Sequence, residues 1–531
     1  IVLSAFITRW YSLSAYEMDW DEGNRMSIGH SLNHGRTLYV DAWDHHPFLD
    51  ILAFQQVFRI LPPEVAPKAV HLINILIVVA ISLLIFCLPR RLTSSFGPGL
   101  FGACVALFLF PRGAFRSSHG EFYHSLTSLA AFALYLMTKR SPLQLAAIGL
   151  LLATGFLIKQ SAIFDVGAFL AIHGLSGWRG GKGVRNSAGD LVGLGAGAGT
   201  VVLLSIAYFA WHGSLREAVY GTFLDALVYS TGSGFHDTLD RYGKTAESEF
   251  GFLLHLHWLI TGAIVFAYFC LLLRRQDEGA RRLGEAAMLW LAFVLAGIMC
   301  IGRFYEHYFT QVIAPLSLVC AYAVASLPRW GRFPVGWAGL VLLYLNPILY
   351  PQLNEFMGRA ENDSRDIQRV AAFLRANTRP GETVFLYRNS ALCLYFLSER
   401  FPPVKTFMES QMLAEHKDGP ALLTDGLKRW KQNPPRFIVT GQLKHVIPEI
   451  EELMNRDYRP HAKIGAFQIY KRSSPDRSQS EAGPEFDKGC DKVGNGGLDG
   501  FYIIRFKNAS TRRRTSSWLE LSMQHGEANR Q

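Results

Sequence analysis

The feature that most constrains this chain is a series of long apolar runs. They fall at roughly 69–88, 99–115, 122–138, 143–158, 161–177, 191–211, 253–273, 285–302, 309–327 and 334–352. A helix needs about 20 apolar residues to cross a bilayer, so these runs predict a polytopic membrane protein rather than a water-soluble enzyme. A shorter run, Ile1 to Ile7, reads as the end of a first span whose beginning is missing. The expectation is therefore about 11 spans. Charge then divides the chain. Asp, Glu, Lys and Arg make up 46 of the first 352 residues but 50 of the last 179, and only the second share matches the roughly 25% of soluble proteins.

The sequence carries a formal net charge of +10. The basic residues lie at alternate connections: Arg90-Arg91, Lys139-Arg140, Arg179/Lys182/Arg185, Arg274/Arg275/Arg281/Arg282 and Arg329/Arg332. The positive-inside rule expects this placement, so the charge reports topology and speaks against a nucleic-acid partner. It places residues 17–68 and everything after 352 on the extracytoplasmic side. Residues 353–471 alternate helix-like and strand-like stretches, with Asp363–Asn377 and Leu422–Trp430 helical, and Thr383–Tyr387 and Arg436–Thr440 extended. This predicts a small α/β domain. Residues 472–531 are rich in Ser, Gly and Arg and predict a disordered tail. Seven cysteines, five of them in apolar runs, support no disulfide framework.

The strongest chemical signal is Asp19-Trp20-Asp21-Glu22, just past the first short run. Carboxylates this close repel one another, which raises the pKa of at least one unless cations compensate. One reading is a solvated loop at the end of a span. The other is a general base at the membrane face. His45 and His46, with Asp19 and Asp21, form an alternative metal-ligand set, since imidazole and carboxylate suit zinc or manganese, although their spacing follows no strict ligand rule.

Six stretches in order resemble one family. Trp20-Asp21-Glu22-Gly23, Leu32 to Gly35, Leu38-Tyr39, Asp41 and Asp44-His45-His46-Pro47 are similar to the first outer loop of bacterial GT-C glycosyltransferases. These are polytopic enzymes similar to protein O-mannosyltransferases and to the lipid A aminoarabinose transferase. Gly120-Glu121-Phe122, Gly155 to Gln160, Gly302 to Tyr308, Leu394 to Ser398 and Pro434 to Val439 match in order after it. The resemblance implies a GT-C-like transmembrane domain over 1–352, an extracytoplasmic α/β domain over 353–471, and a location in the bacterial inner membrane. It implies transfer of a sugar from a polyprenyl-phosphate donor to a hydroxyl of an envelope lipid, glycan or protein, with inversion. Asp21 is then the expected catalytic base, and Glu22 its partner or a second base in reserve. Asp19, Arg25, His46, Glu121, Lys159, Arg303, His307 and Tyr308 are the candidates for binding donor or acceptor.

Alternatives stand beside several of these roles. Lys159 also suits snorkelling toward headgroups, and Arg25 also suits neutralising Asp21. Some relatives carry Lys where this chain has His46, and a histidine is only partly charged near neutral pH. His71, His124, His255 and His257 fit hydrogen bonding between helices. A divalent cation is allowed but not required. The competing functions are a transporter or flippase of lipid-linked sugars, which would place ionisable residues such as Asp165 near mid-membrane, and a non-catalytic envelope assembly protein.

Overall fold

The computed structural model describes residues 1–111, 117–138, 141–179, 184–224, 261–262, 278–302, 304–344, 364–389, 391–413, 419–441 and 446–473, with the side chains at 184–188 and 342–344 excepted. The expected span at 253–273, apart from residues 261–262, together with His255, His257, Arg303, residues 225–252 and nearly all of the tail from 472, lies outside the described residues.

Helices dominate. In order they are α1 (Val2–Arg9), α2 (Trp20–Leu32), α3 (Leu49–Ile60), α4 (Ala66–Thr93), α5 (Phe96–Leu109), α6 (Gly120–Met137), α7 (Pro142–Ile158), α8 (Ile163–Arg179), α9 (Val184–Trp211), α10 (Leu215–Val219), α11 (Glu278–Ile301), α12 (Ile313–Ala325) and α13 (Arg329–Tyr344). Among the described residues, four helical stretches are long and apolar enough to cross a membrane: Ala66–Thr93, Gly189–Trp211, Glu278–Ile301 and Glu306–Ala325. The last joins α12 to a preceding 3₁₀ helix, Glu306–Val312.

Local chemistry sets the boundaries. Asp19 caps α2 by accepting from the Glu22 N–H at 3.0 Å. Gly35 turns the chain after that helix with a φ of 86°, where the sequence predicts a stop. Ser141 and Gln144 form a capping box at the start of α7, with Pro142 at its first position, an arrangement that satisfies two otherwise unpaired N–H groups. Close packing explains the glycine-rich run in α9. A Cβ at Gly197 would strike the Ala146 carbonyl, and one at Gly149 would strike the Leu194 carbonyl. Small residues thus bring the backbones of α7 and α9 together, the usual device for packing helices in lipid.

After the bundle come a helix over 364–377 (α14), α15 (Cys393–Ser398), α16 (Gly419–Gln432) and α17 (Pro448–Asp457). With them lie β1 (Val384–Tyr387), β2 (Phe437–Thr440), β3 (Tyr458–Ile464) and β4 (Phe467–Arg472). The sheet order is β1-β2-β4-β3. β1 and β2 are parallel, an arrangement that needs a long crossover connection such as the one through α15 and α16, and β4 is antiparallel to both neighbours. Both predicted strands are present. The β3–β4 hairpin was not anticipated.

This α/β unit shares a core with the loop at 17–68. Phe58 packs on Phe396 at 5.0 Å between ring centroids. Ser27 Oγ donates to the Leu392 carbonyl at 2.8 Å, and the Trp43 N–H donates to Lys405 O at 2.8 Å. Ile28, Phe54, Leu392 and Phe437 belong to one buried cluster. A separate cluster, containing Val78, Phe132, Trp290 and Leu316, fills the helical bundle.

Candidate active site

The site forms at one end of the bundle. There α2 and α6 begin, α7 ends, and the 3₁₀ helix leads into α12. Placing Asp21 and Glu22 in the first turn of α2 suits carboxylates, because the helix dipole favours negative charge there.

The two acidic neighbours have different surroundings. Glu22 is 0% exposed. Its Oε1 lies 2.8 Å from His71 Nε2 and accepts from Ser118 Oγ at 2.6 Å. Its Oε2 accepts from the Met18 N–H at 2.8 Å. Burial alone would raise its pKa, but the His71 imidazole overrides burial and holds it below the usual carboxylate range. Asn74 Nδ2 donates to Ser118 Oγ, and Tyr123 Oη donates to Asn74 Oδ1 at 2.8 Å, which extends the network into α4 and α6. Asp21, in contrast, keeps 22% of its side chain exposed. Its carboxylate lies 3.9 Å from His119 Nδ1. Burial, then repulsion from Asp19, raise its pKa against the pull of His119, Arg25 and Lys159.

Asp19 pairs with His119 Nε2 at 2.6 Å. Burial opposes its charge, yet His119 holds its pKa well below normal. His119 in turn stacks on His307, with centroids 4.3 Å apart and planes 12° from parallel. Burial disfavours charge on His119, but Asp19 more than compensates and raises its pKa.

Arg25 forms its ion pair with Asp50, Nη1 to Oδ2 at 2.7 Å, both side chains being buried. Its Nε donates to the backbone carbonyl of Asp21 at 3.2 Å. The guanidinium therefore matches Asp50 rather than the Asp21 carboxylate, and it steadies the Asp21 backbone.

Lys159 Nζ lies 3.0 Å from Glu121 Oε1 and 5.4 Å from the centroid of the Tyr308 ring. It is buried, so the structure supports a paired cation rather than a snorkelling one. The next residue, Gln160, donates through Nε2 to the carbonyls of His45 and Thr222 at 3.1 and 2.9 Å. It thus ties the Lys159 turn to the histidine loop. In that loop His46 Nδ1 lies 2.9 Å from Asp44 Oδ1. Burial, then Lys159 and Arg25, push the His46 pKa well down. His46 is therefore neutral where a lysine would be charged.

Among the described residues, two groups of side chains are able to gather around a metal ion: Asp21, His119 and His307, and Asp44, His45 and His46. Within each, the ligand atoms lie within 4.8 Å of one another. Asp19 joins neither, so the ligand set expected from sequence is divided between two places. In the first group Arg25 Nη2 lies 3.2 Å from His119 Nδ1, a cation placed where a metal ion would bind.

Sequence reasoning missed His119, His71, Ser118 and Asp50. None sits in a recognisable spacing, and each is brought to the site by a helix end distant in sequence. His71 was expected only at a helix interface, whereas it grips Glu22. His124 does fit that expectation. Its Nδ1 lies 3.1 Å from Asp165 Oδ2, and Asp165 also accepts from Ser128 Oγ at 2.6 Å and Trp290 Nε1 at 2.7 Å.

No protein-family model matches the sequence, and no curated protein matches it. Solved structures do match. ArnT from Cupriavidus metallidurans bound to undecaprenyl phosphate superposes with a TM-score of 0.57 at 11% identity, over 90% of this chain and 98% of that one. The same protein in the apo state gives 0.53 at 13% identity, over 88% and 96%. The apo oligosaccharyltransferase of Archaeoglobus fulgidus gives 0.51 at 12% identity, over 83% of this chain and 68% of that one. The chain has the GT-C fold. At such identities the likeness concerns architecture, and function has to come from the site.

Proposed function

We propose that this protein is a membrane glycosyltransferase that moves a sugar from a polyprenyl-phosphate carrier to a hydroxyl of an envelope acceptor. The observation that carries this reading is the contrast within the acidic pair. Among the described residues Asp21 is partly exposed, paired only loosely with His119 at 3.9 Å, and raised in pKa, while Glu22 beside it is buried and fully engaged. A free carboxylate of raised pKa is suited to taking a proton near neutral pH. The crystallised ArnT with undecaprenyl phosphate, similar over nearly the whole chain, supports the choice of donor.

In the reaction, Asp21 accepts the proton of the acceptor hydroxyl as its oxygen attacks the sugar's anomeric carbon. The bond from that carbon to the phosphate oxygen breaks, and its electron pair leaves with the polyprenyl phosphate. Phosphate departs readily without a general acid, so the site needs cations more than proton donors. Lys159 and His119 are the described candidates, with Arg303 proposed from sequence alone. Glu22 positions α2 through His71 and Ser118, and Arg25 does so through Asp50. Glu121 keeps Lys159 in place and faces the sugar.

The basic connections support a reaction on the extracytoplasmic side of a bacterial inner membrane, with about eleven spans within residues 1–352 and the α/β unit over 353–471 outside. No metal is required in this scheme. Transport is the less favoured alternative, because Asp165, the carboxylate that such a function would place near mid-membrane, is satisfied by three donors. Mass spectrometry of envelope glycolipids from cells carrying the wild-type protein or Asp21→Asn tests the proposal. A sugar-modified species should vanish in the variant, and an unchanged profile would refute it.

A further inference from the structure

The wall of the site continues one turn deeper than the residues used so far. Glu306–Val312 is a seven-residue 3₁₀ helix, longer than the three or four residues usual for that form. With three residues per turn, His307 and Thr310 share one side, and Tyr308 and Gln311 share the next. His307 and Tyr308 both face the site, one stacked on His119 and the other under Lys159. The third side, with Phe309 and Val312, packs into the bundle core. By this periodicity Thr310 and Gln311 follow His307 and Tyr308 on the same two sides, one turn further along the helix.

Both are almost wholly buried, at 1% and 3% exposure, yet neither Thr310 Oγ1 nor Gln311 Nε2 has a hydrogen-bond partner among the described residues. The same holds for Ser161 Oγ, two residues past Lys159, and for Glu121 Oε2. Native proteins rarely leave buried polar atoms unpaired, and within an apolar segment such atoms mark a ligand path. We infer that Thr310, Gln311, Ser161 and Glu121 form a subsite for an uncharged, hydroxyl-bearing sugar ring. The set offers hydroxyls and an amide N–H as donors and a carboxylate oxygen as acceptor, which is the pairing a sugar hydroxyl needs. Lys159 already matches the Glu121 charge, so no spare carboxylate remains there for an amino sugar. The assignment rests on the proposed glycosyl transfer, and the ring belongs either to the donor or to the acceptor.

Thr310→Val and Gln311→Leu in the full-length protein test it, with wild type and Asp21→Asn as references. The probes are undecaprenyl phosphate, the same lipid bearing a neutral hexose, the same lipid bearing an aminopentose, and the methyl glycoside of the neutral hexose. Wild type should prefer the hexose lipid to the bare lipid by about tenfold, the value of one or two hydrogen bonds. Each variant should lose that preference while keeping its affinity for bare lipid and its melting temperature, because these atoms have no bond to lose among the described residues. Loss of methyl glycoside binding with the lipid preference retained would assign the ring to the acceptor. Unchanged affinities for every sugar probe, a preference for the aminopentose lipid, or variants that melt several degrees lower with sugar binding intact would overturn the subsite. Failure of Asp21→Asn to stop transfer would instead overturn the base assignment, leaving the sugar-binding result to stand alone.

Discussion

Replacing Glu22 with glutamine keeps the shape of a fully buried side chain and removes its charge. Three donors converge on that carboxylate: His71 and Ser118 on one oxygen, and the Met18 N–H on the other. An amide offers a single acceptor oxygen, so its NH₂ group must face one of those donors. Orphaning a buried donor costs about 1–3 kcal/mol, and losing a charge-assisted bond to His71 costs about 1.5–3 kcal/mol. Breaking one side of a buried pair falls in the same range, about 3–5 kcal/mol. The Glu22→Gln protein should therefore melt well below wild type when thermal unfolding is followed in detergent, while Asp21→Asn melts with wild type. The native pKa of Glu22 is lowered, so its contribution is complete above the unfolded value of about 4.3. It fades as pH falls through the lowered native value, and the gap between Glu22→Gln and wild type should close in acid. A Glu22→Gln protein that melts like wild type and loses only transfer would refute this division of labour.

Three further outcomes follow from the same geometry. Lys159→Met leaves Glu121 buried without its cation and should cost about 3–5 kcal/mol; adding Glu121→Gln should recover most of the melting temperature, with transfer still lost in the double variant. Asp19→Asn retains an N-cap of equal quality but removes the like charge that is the second-largest cause of Asp21's raised pKa. The acid limb of the pH–rate profile should then move to lower pH, and an unmoved or raised limb would contradict the coupling. Because Arg25 lies against His119, transfer should survive prolonged chelation of divalent cations; loss on chelation with recovery on adding manganese or zinc would show that Asp21, His119 and His307 hold a metal.

Features set by local spacing were legible in the sequence. The apolar runs gave most of the bundle helices, the turn at Gly35 ends α2's excursion, and β1 and β2 lie where alternation and the preceding prolines put them. The Asp21–Glu22 pair and the Lys159 turn were also visible, because chemical type and order were enough to single them out. What could not be read was which carboxylate is engaged and which is free. That depends on His71, Ser118 and His119, which reach α2 from the starts of α4 and α6 across 49 to 100 positions of sequence. Arg25's match with Asp50 was hidden for the same reason, since Asp21 is the nearer carboxylate in sequence but not the one its guanidinium meets. The hairpin β3–β4 escaped because only Tyr458 and Ile469 of its strand residues are buried, so little hydrophobic alternation marks it.

The most direct test of the central claim is turnover by the purified full-length protein in lipid, supplied with polyprenyl-phosphate sugar and the acceptor identified from envelope glycolipids. Asp21→Asn should fold and bind donor as wild type does but transfer sugar at least about 100-fold more slowly, the usual cost of losing a general base. Turnover retained in Asp21→Asn would contradict the account.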